Sequence, residues 1–260
     1  MNNLSDTPQE WVKTQRLGAT LVVMLNNPAR RNSITREMLA ALQNAFAEQE
    51  HDSTIRAVIL TGAGGHFCSG GDLKGMDATR GSKRDQFTNS QMLARQISGA
   101  SVPVIAAVDG WAAGAGFSLA LLADTVVAAR DAGFVASFPK VGLIPDYGML
   151  ETLPARIGMG KAKQILLYGQ IVKAPEAHDL GIVDHLCEPG ATLETALGLA
   201  DQVSQMAPRA VRAIKDYYGG NITRALDFER IIQPELILGQ DAAEGRAAFA
   251  EKRTPEFKDE

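Results

Sequence analysis

The chain has 260 residues, 45% of them hydrophobic and 22% charged, which suits one large compact domain or a core domain with a small appendage. A formal net charge of -4 and a pI near 5.7 argue against a nucleic-acid-binding protein, because no basic stretch is large enough to dominate the field, although local cationic spots are compatible with them. The first residues, MNNLSDTPQEW, carry neither a basic start nor an apolar core, and no window offers about 18 uninterrupted apolar residues, so a soluble, cytoplasmic protein with no membrane partner is expected.

Taken in chain order, TLVVMLN (20–26) is rich in branched residues and stops at Asn27 and Pro28, which predicts a strand and a turn. The next stretch places Met38, Leu39, Leu42 and Phe46 on one helical face, with Thr35 or Ser33 as the cap. RAVILTGAGG (56–65) is a second buried strand that opens into a glycine-rich loop, and RDQFTNSQMLARQISGA returns as a helix. The unit repeats with VPVIAAVDGWAAGAG (102–116) and the helical FSLALLAD. TVVAARDAGFVASF follows as two short strands. Strand and helix turns in this order predict an α/β spiral rather than a doubly wound nucleotide fold. From about residue 191 only helical patterns remain, which predicts an all-helical C-terminal part.

Few residue types point to nucleophilic or metal chemistry. Cys68 and Cys187 lie far apart, and His51, His66, His178 and His185 lie singly, so no disulfide framework, metal site or cofactor-ligating cluster is expected. Ser118 has no neighbouring His and Asp pattern and no nucleophile elbow, which argues against a serine hydrolase. Two glycine-rich loops remain: HFCSGGDLKGM (66–76) and DGWAAGAGFSLALLAD (109–124). Neither ends in the Lys-Ser/Thr of a phosphate loop. As a pair, they can aim two backbone N–H groups at one oxygen, the second helped by the positive end of its helix; that arrangement is an oxyanion hole.

These loops, together with GLIPDYG and LPARIG (142–158) and AFAEKRTPEFKD near the end, resemble the crotonase superfamily of enoyl-CoA hydratases and isomerases, over residues 20–258. The resemblance implies a ββα spiral core with the acyl-CoA site (1–190) and a C-terminal all-helical trimerisation domain (191–260). It also implies an acyl-CoA thioester substrate, no cofactor apart from the coenzyme A carried by that substrate, and a homotrimer or homohexamer. By resemblance the oxyanion hole falls on the amides of Gly71 and Ala115, each worth roughly 3 kcal/mol when well aimed. The coenzyme A path falls on Ser69, Asp72, Leu73 and Lys74, with Arg30, Phe249 and Lys252 as further contacts. Arg30 and Lys252 read equally well as solvated surface charges. Trp111, Ser118, Phe138 and Tyr147 are assigned to the acyl pocket, although simple packing is the commoner role for Trp111 and Tyr147.

Hydratases of the superfamily carry two glutamates, and the matching positions here are Ser118 and Phe138. Hydration needs two carboxylates to position a water and exchange protons with it, so the substitutions argue against it. In the branch that includes Δ3,Δ2-enoyl-CoA isomerases and the ring isomerase of phenylacetate breakdown, an acid directly after LIP serves as the base; here that acid is Asp146. The residues alone allow Asp146 to be a Pro-Asp turn residue. The resemblance implies a base that shifts a double bond from 3-enoyl-CoA to 2-enoyl-CoA through a dienolate, its proton affinity raised if Phe138, Leu143 and Ile144 make a dry pocket. Two other readings stay open: a hydratase or ring-epoxide isomerase of the same superfamily, and a non-catalytic acyl-CoA binder.

Overall fold

A computed structural model describes residues 10–72, 80–219 and 221–258. The chain opens with a hairpin, β1 (Val12–Leu17) and β2 (Thr20–Leu25), which turns at Gly18. Helix α1 (Arg36–His51) follows and is capped by Thr35, whose hydroxyl accepts the Met38 N–H at 3.2 Å. Its buried face carries Met38, Leu39, Leu42 and Phe46, the spacing that puts side chains over one another on a helix.

Three turns of a spiral come next. Strand β3 (Ala57–Gly62) leads through the 66–72 loop to α2 (Arg80–Ser98). Strands β4 (Val104–Val108) and β5 (Trp111–Ala113) lead to α3 (Ala115–Leu122). Strands β6 (Thr125–Ala129) and β7 (Gly133–Val135) lead to α4 (Met149–Ile157) and α5 (Met159–Tyr168). In each turn the first strand enters a six-stranded sheet and the second segment enters a smaller one. The large sheet has the order β1-β2-β3-β4-β6-β9, where β9 spans His185–Cys187, and runs parallel from β2 onward. The small sheet has the order β5-β7-β8, where β8 spans Ile171–Lys173, and Cys68 extends it by a parallel bridge to Ala112. Helix α6 (Ala174–Leu180) joins β8 to β9.

The central strands are apolar on both faces because both faces are covered. Val58 and Leu60 point to the main core, while Ala57 and Ile59 join a second cluster with Val22, Ile105 and Val127. That second cluster is closed by Ala196 and Ala200 of α7 (Thr192–Ser204). So α7, which the sequence reading groups with the C-terminal helices, serves as the outer cover of the sheet. Helices α8 (Pro208–Tyr218), α9 (Thr223–Leu238) and α10 (Gln240–Glu251) complete the chain. Lys215 of α8 is buried and pairs with Asp124 at 2.6 Å, just before β6. Helix α10 sits so close to the turn after β7 that a Cβ on Gly245 would lie 2.6 Å from the Val141 Cα. Among the described residues no helix is long and apolar enough to cross a membrane.

Candidate active site

Backbone pairing brings the two glycine-rich loops together. The Cys68 N–H donates to Trp111 O and the Ala113 N–H donates to Cys68 O, both at 2.9 Å. The chain beyond Cys68 therefore runs beside the start of α3. Gly70 and Gly114 both take positive φ, 104° and 51°. At Gly70 a side chain is excluded as well, since a Cβ would meet Ala113 O at 2.9 Å and the Ala115 nitrogen at 3.8 Å. Gly71 and Ala115 both face one cavity of about 230 Å³. Among the described residues neither of their amide hydrogens is taken up by an acceptor. Ala115 is the first residue of α3, at the positive end of its peptide dipoles. Two free donors on adjacent loops are suited to hold an oxygen that becomes negatively charged.

Asp146 reaches the same cavity from the third turn of the spiral. A 3-10 turn (Phe138–Val141) ends at Gly142 in the left-handed region, and Tyr147 and Gly148, at φ 52° and 80°, reverse the chain into α4. Asp146 is half-buried and lines the cavity. Its Oδ1 accepts the hydroxyl of Ser118 at 3.0 Å. Burial pushes its pKa up to about 7, against the Ser118 hydrogen bond, which favours the charged form. The rest of the wall is mostly apolar, with Val135, Phe138, Val141, Leu143 and Ile237. Cys68 lies behind this wall; burial first, and then the Asp146 charge, push its thiol up to about 12, so it is inert.

Helix α9 grips the Asp146 loop from both sides. Gln233 accepts the Ile144 N–H at 3.0 Å and donates to Ile144 O at 2.9 Å. One helical turn earlier, Glu229 accepts the Gly148 N–H at 2.9 Å. Both side chains are buried, on the face that also carries Ala225, Leu226 and Ile237. The sequence reading missed them. The signal that would have found them is a pair of polar residues four apart on an otherwise apolar helix face, because buried polar groups require partners.

The other expected site residues fall in several places. Phe138 is a wall of the cavity, and Phe249 lies at its mouth, 67% exposed. Ser69 also borders the cavity, and its hydroxyl donates to Arg30 O at 3.0 Å. Arg30 pairs with Asp72 at 3.0 Å. Leu73 and Lys74 lie outside the described residues. Lys252 is exposed at the end of α10 with φ 57° and is not among the residues lining the cavity. Ser118 is completely buried and acts on the cavity through Asp146 rather than as part of its lining. Two residues assigned to the acyl pocket, Trp111 and Tyr147, are not among those lining this cavity. Trp111 lies under the Lys173 ammonium, 4.6 Å from its ring centroid. Tyr147 is buried with its hydroxyl hydrogen-bonded to the Ser90 side chain, because its left-handed backbone swings it behind Asp146. The pocket wall is built instead by Val135, Val141, Leu143 and Ile237 beside Phe138. Among the described residues no group of three His, Cys, Asp or Glu side chains is placed to hold a metal ion.

Residues 16–260 match the family model described as enoyl-CoA hydratase/isomerase. The chain is 38% identical over 259 residues to 1,2-epoxyphenylacetyl-CoA isomerase of Escherichia coli K12, covering 95% of this chain and 98% of that protein. It is 36% identical to the enoyl-CoA hydratase EchA19 of Mycobacterium tuberculosis, over 94% of this chain and 95% of that one. The crystal structure of an enoyl-CoA hydratase/isomerase from Pseudoalteromonas atlantica T6c superposes with a TM-score of 0.87 at 30% identity, covering 96% of this chain and 100% of that one.

Proposed function

The chain is an enzyme of the enoyl-CoA hydratase/isomerase family with the crotonase fold, and on that premise we propose that it shifts the double bond of a 3-enoyl-CoA to give the 2-enoyl-CoA. The observation that carries this reading is Asp146, the one acid among the described residues lining the cavity, opposite the free amides of Gly71 and Ala115. The thioester oxygen rests between those amides. The Asp146 carboxylate removes a proton from C2, and the electron pair moves onto the thioester oxygen, forming a dienolate that the two N–H groups stabilise. The protonated Asp146 then returns the proton to C4, the double bond settles between C2 and C3, and the base is regenerated. A proton affinity near 7 suits a group that must both take and give a proton at neutral pH.

Hydration is less well supported. It requires a second group to hold water, and the positions of the family's glutamates carry the hydroxyl of Ser118 and the ring of Phe138. A second reading, isomerisation of an aromatic ring epoxide attached to coenzyme A, is favoured by the name of the Escherichia coli relative. Both isomerisations use the same hole and the same carboxyl. The coenzyme A moiety passes Ser69, Arg30 and Phe249 at the cavity mouth in either case. Exposed apolar residues on α8 and α9, including Ile214, Tyr217 and Ile231, supply the surface for assembly into a trimer.

The deciding experiment offers a 3-enoyl-CoA, a 2-enoyl-CoA and 1,2-epoxyphenylacetyl-CoA to the protein and to Asp146→Asn. Turnover of the 3-enoyl substrate is expected, lowered roughly a thousandfold in the variant. Full activity in Asp146→Asn sinks the assignment of the base, and 3-hydroxy product as the main outcome sinks isomerisation.

A further inference from the structure

Glu229 is a second carboxyl group beside Asp146, and it is 4% exposed. Its partners are the amides of Tyr147 and Gly148, the two left-handed residues that follow Asp146. The other groups facing the pair are the Ser118 hydroxyl from α3, the Cys68 thiol and the Tyr147 hydroxyl, all neutral near pH 7. Among the described residues no cation acts on either acid. With no cation beside them, burial and mutual repulsion favour one of the two carboxyls keeping its proton near neutral pH, against the hydrogen bonds that each accepts. Asp146 still touches the cavity, whereas Glu229 is sealed behind the loop.

We propose that Glu229 is a positioning residue, a neutral acid that holds Tyr147 and Gly148 in their left-handed turn and so aims Asp146, and whose ionisation in alkaline solution turns the reaction down. The inference rests on Asp146 being the base. As an acceptor, the Glu229 carboxyl satisfies two amides that the reversed chain would otherwise leave buried and unpaired. Burial, and then the charge of Asp146, hold its pKa up at about 8, which keeps it protonated while Asp146 works. Above that pH a second negative charge stands beside a cavity in which the thioester oxygen must itself become negative.

The test compares Glu229→Gln and Glu229→Ala over pH 5.5 to 10. Glutamine still accepts from the amides but cannot ionise, so its kcat/KM is expected to rise with pH and then stay level, where the parent declines. Alanine releases the turn, and a base displaced by about 1 Å costs on the order of a hundredfold in kcat, most of which glutamine recovers. A decline at high pH that persists in Glu229→Gln, or equal losses in both variants, overturns the proposal. A direct readout is the difference infrared spectrum between the parent and Glu229→Gln at pH 7, where Asp146 is present in both; a protonated-carboxyl band lost on substitution is expected. Its absence from that difference spectrum overturns the proposal even if Asp146 is the base. Full activity in Asp146→Asn overturns the assignment of the base instead.

Discussion

Ser118 and Asp146, 28 residues apart in sequence, are joined by a hydrogen bond of 3.0 Å from a fully buried hydroxyl to a carboxyl at the cavity wall. The bond places the serine of α3 directly behind the acid of the next spiral turn. It favours the charged form of Asp146 and so opposes the effect of burial.

Removing that donor in Ser118→Ala is expected to raise the proton affinity of Asp146. A hydrogen bond to a charged group is worth about 1.5 kcal/mol, which corresponds to roughly one pH unit. The acidic limb of kcat/KM should move up by about that amount, with activity several-fold lower at pH 7 and close to the parent's above pH 9. A pH profile of isomerisation checks this, and an unmoved limb means that Ser118 does not tune the base.

The raised pKa of Asp146 also makes stability depend on pH. Below about pH 4 its carboxyl is protonated in both folded and unfolded chains, and no penalty exists. As pH rises, the unfolded chain loses the proton first, so stability falls until the folded group ionises near 7. Asn cannot ionise. Asp146→Asn should therefore melt several degrees above the parent at pH 8, since each kcal/mol is worth roughly 2–4 °C in a chain of this size, with a smaller gap at pH 5. Thermal scans at the two values measure the difference; equal gaps would contradict the buried acid. Glu229, raised in the same direction, adds to the parent's loss.

Gly70→Ala tests the oxyanion hole through its geometry. The residue sits at φ 104°, and the added Cβ would press on Ala113 O at 2.9 Å. Strain of about 1–3 kcal/mol and a displaced Gly71 amide should follow. A misdirected donor of this kind costs roughly a hundredfold in kcat. Steady-state kinetics with a thermal scan separate the two effects: KM should change little, because the hole acts on charge that develops in the transition state. A raised KM with an unchanged kcat would place Gly70 in binding instead.

Much of the scaffold is readable from pattern. The runs at 20–26 and 56–65 read as strands because branched apolar residues covered on both faces leave a continuous signal, and α1 reads from its periodicity and its Thr35 cap. β1 carries no comparable signal, because it is an edge strand with only Val12 buried. The segment 171–187 is equally silent, since β8, α6 and β9 are too short for a period to show. Within the site, Asp146 and the two loops are visible as motifs, whereas Trp111 and Tyr147, offered by the sequence for the acyl pocket, are not among the residues lining the cavity. At Tyr147 the left-handed backbone decides the direction.

The sequence by itself determined the family, the alternation of strands and helices, the loops that present the Gly71 and Ala115 amides, and the single acid after LIP. Each is a local property, written in composition, period or motif. Only the tertiary structure decided that Ser118 supports Asp146, that Glu229 and Gln233 of α9 hold the loop around it, and that α7 covers the sheet. The hydrogen bonds among them join residues 28 to 89 positions apart, and the α7 contacts reach further still. Their strength comes from burial, which makes every polar group seek a partner and every carboxyl contest its charge, and burial exists only once the chain has folded.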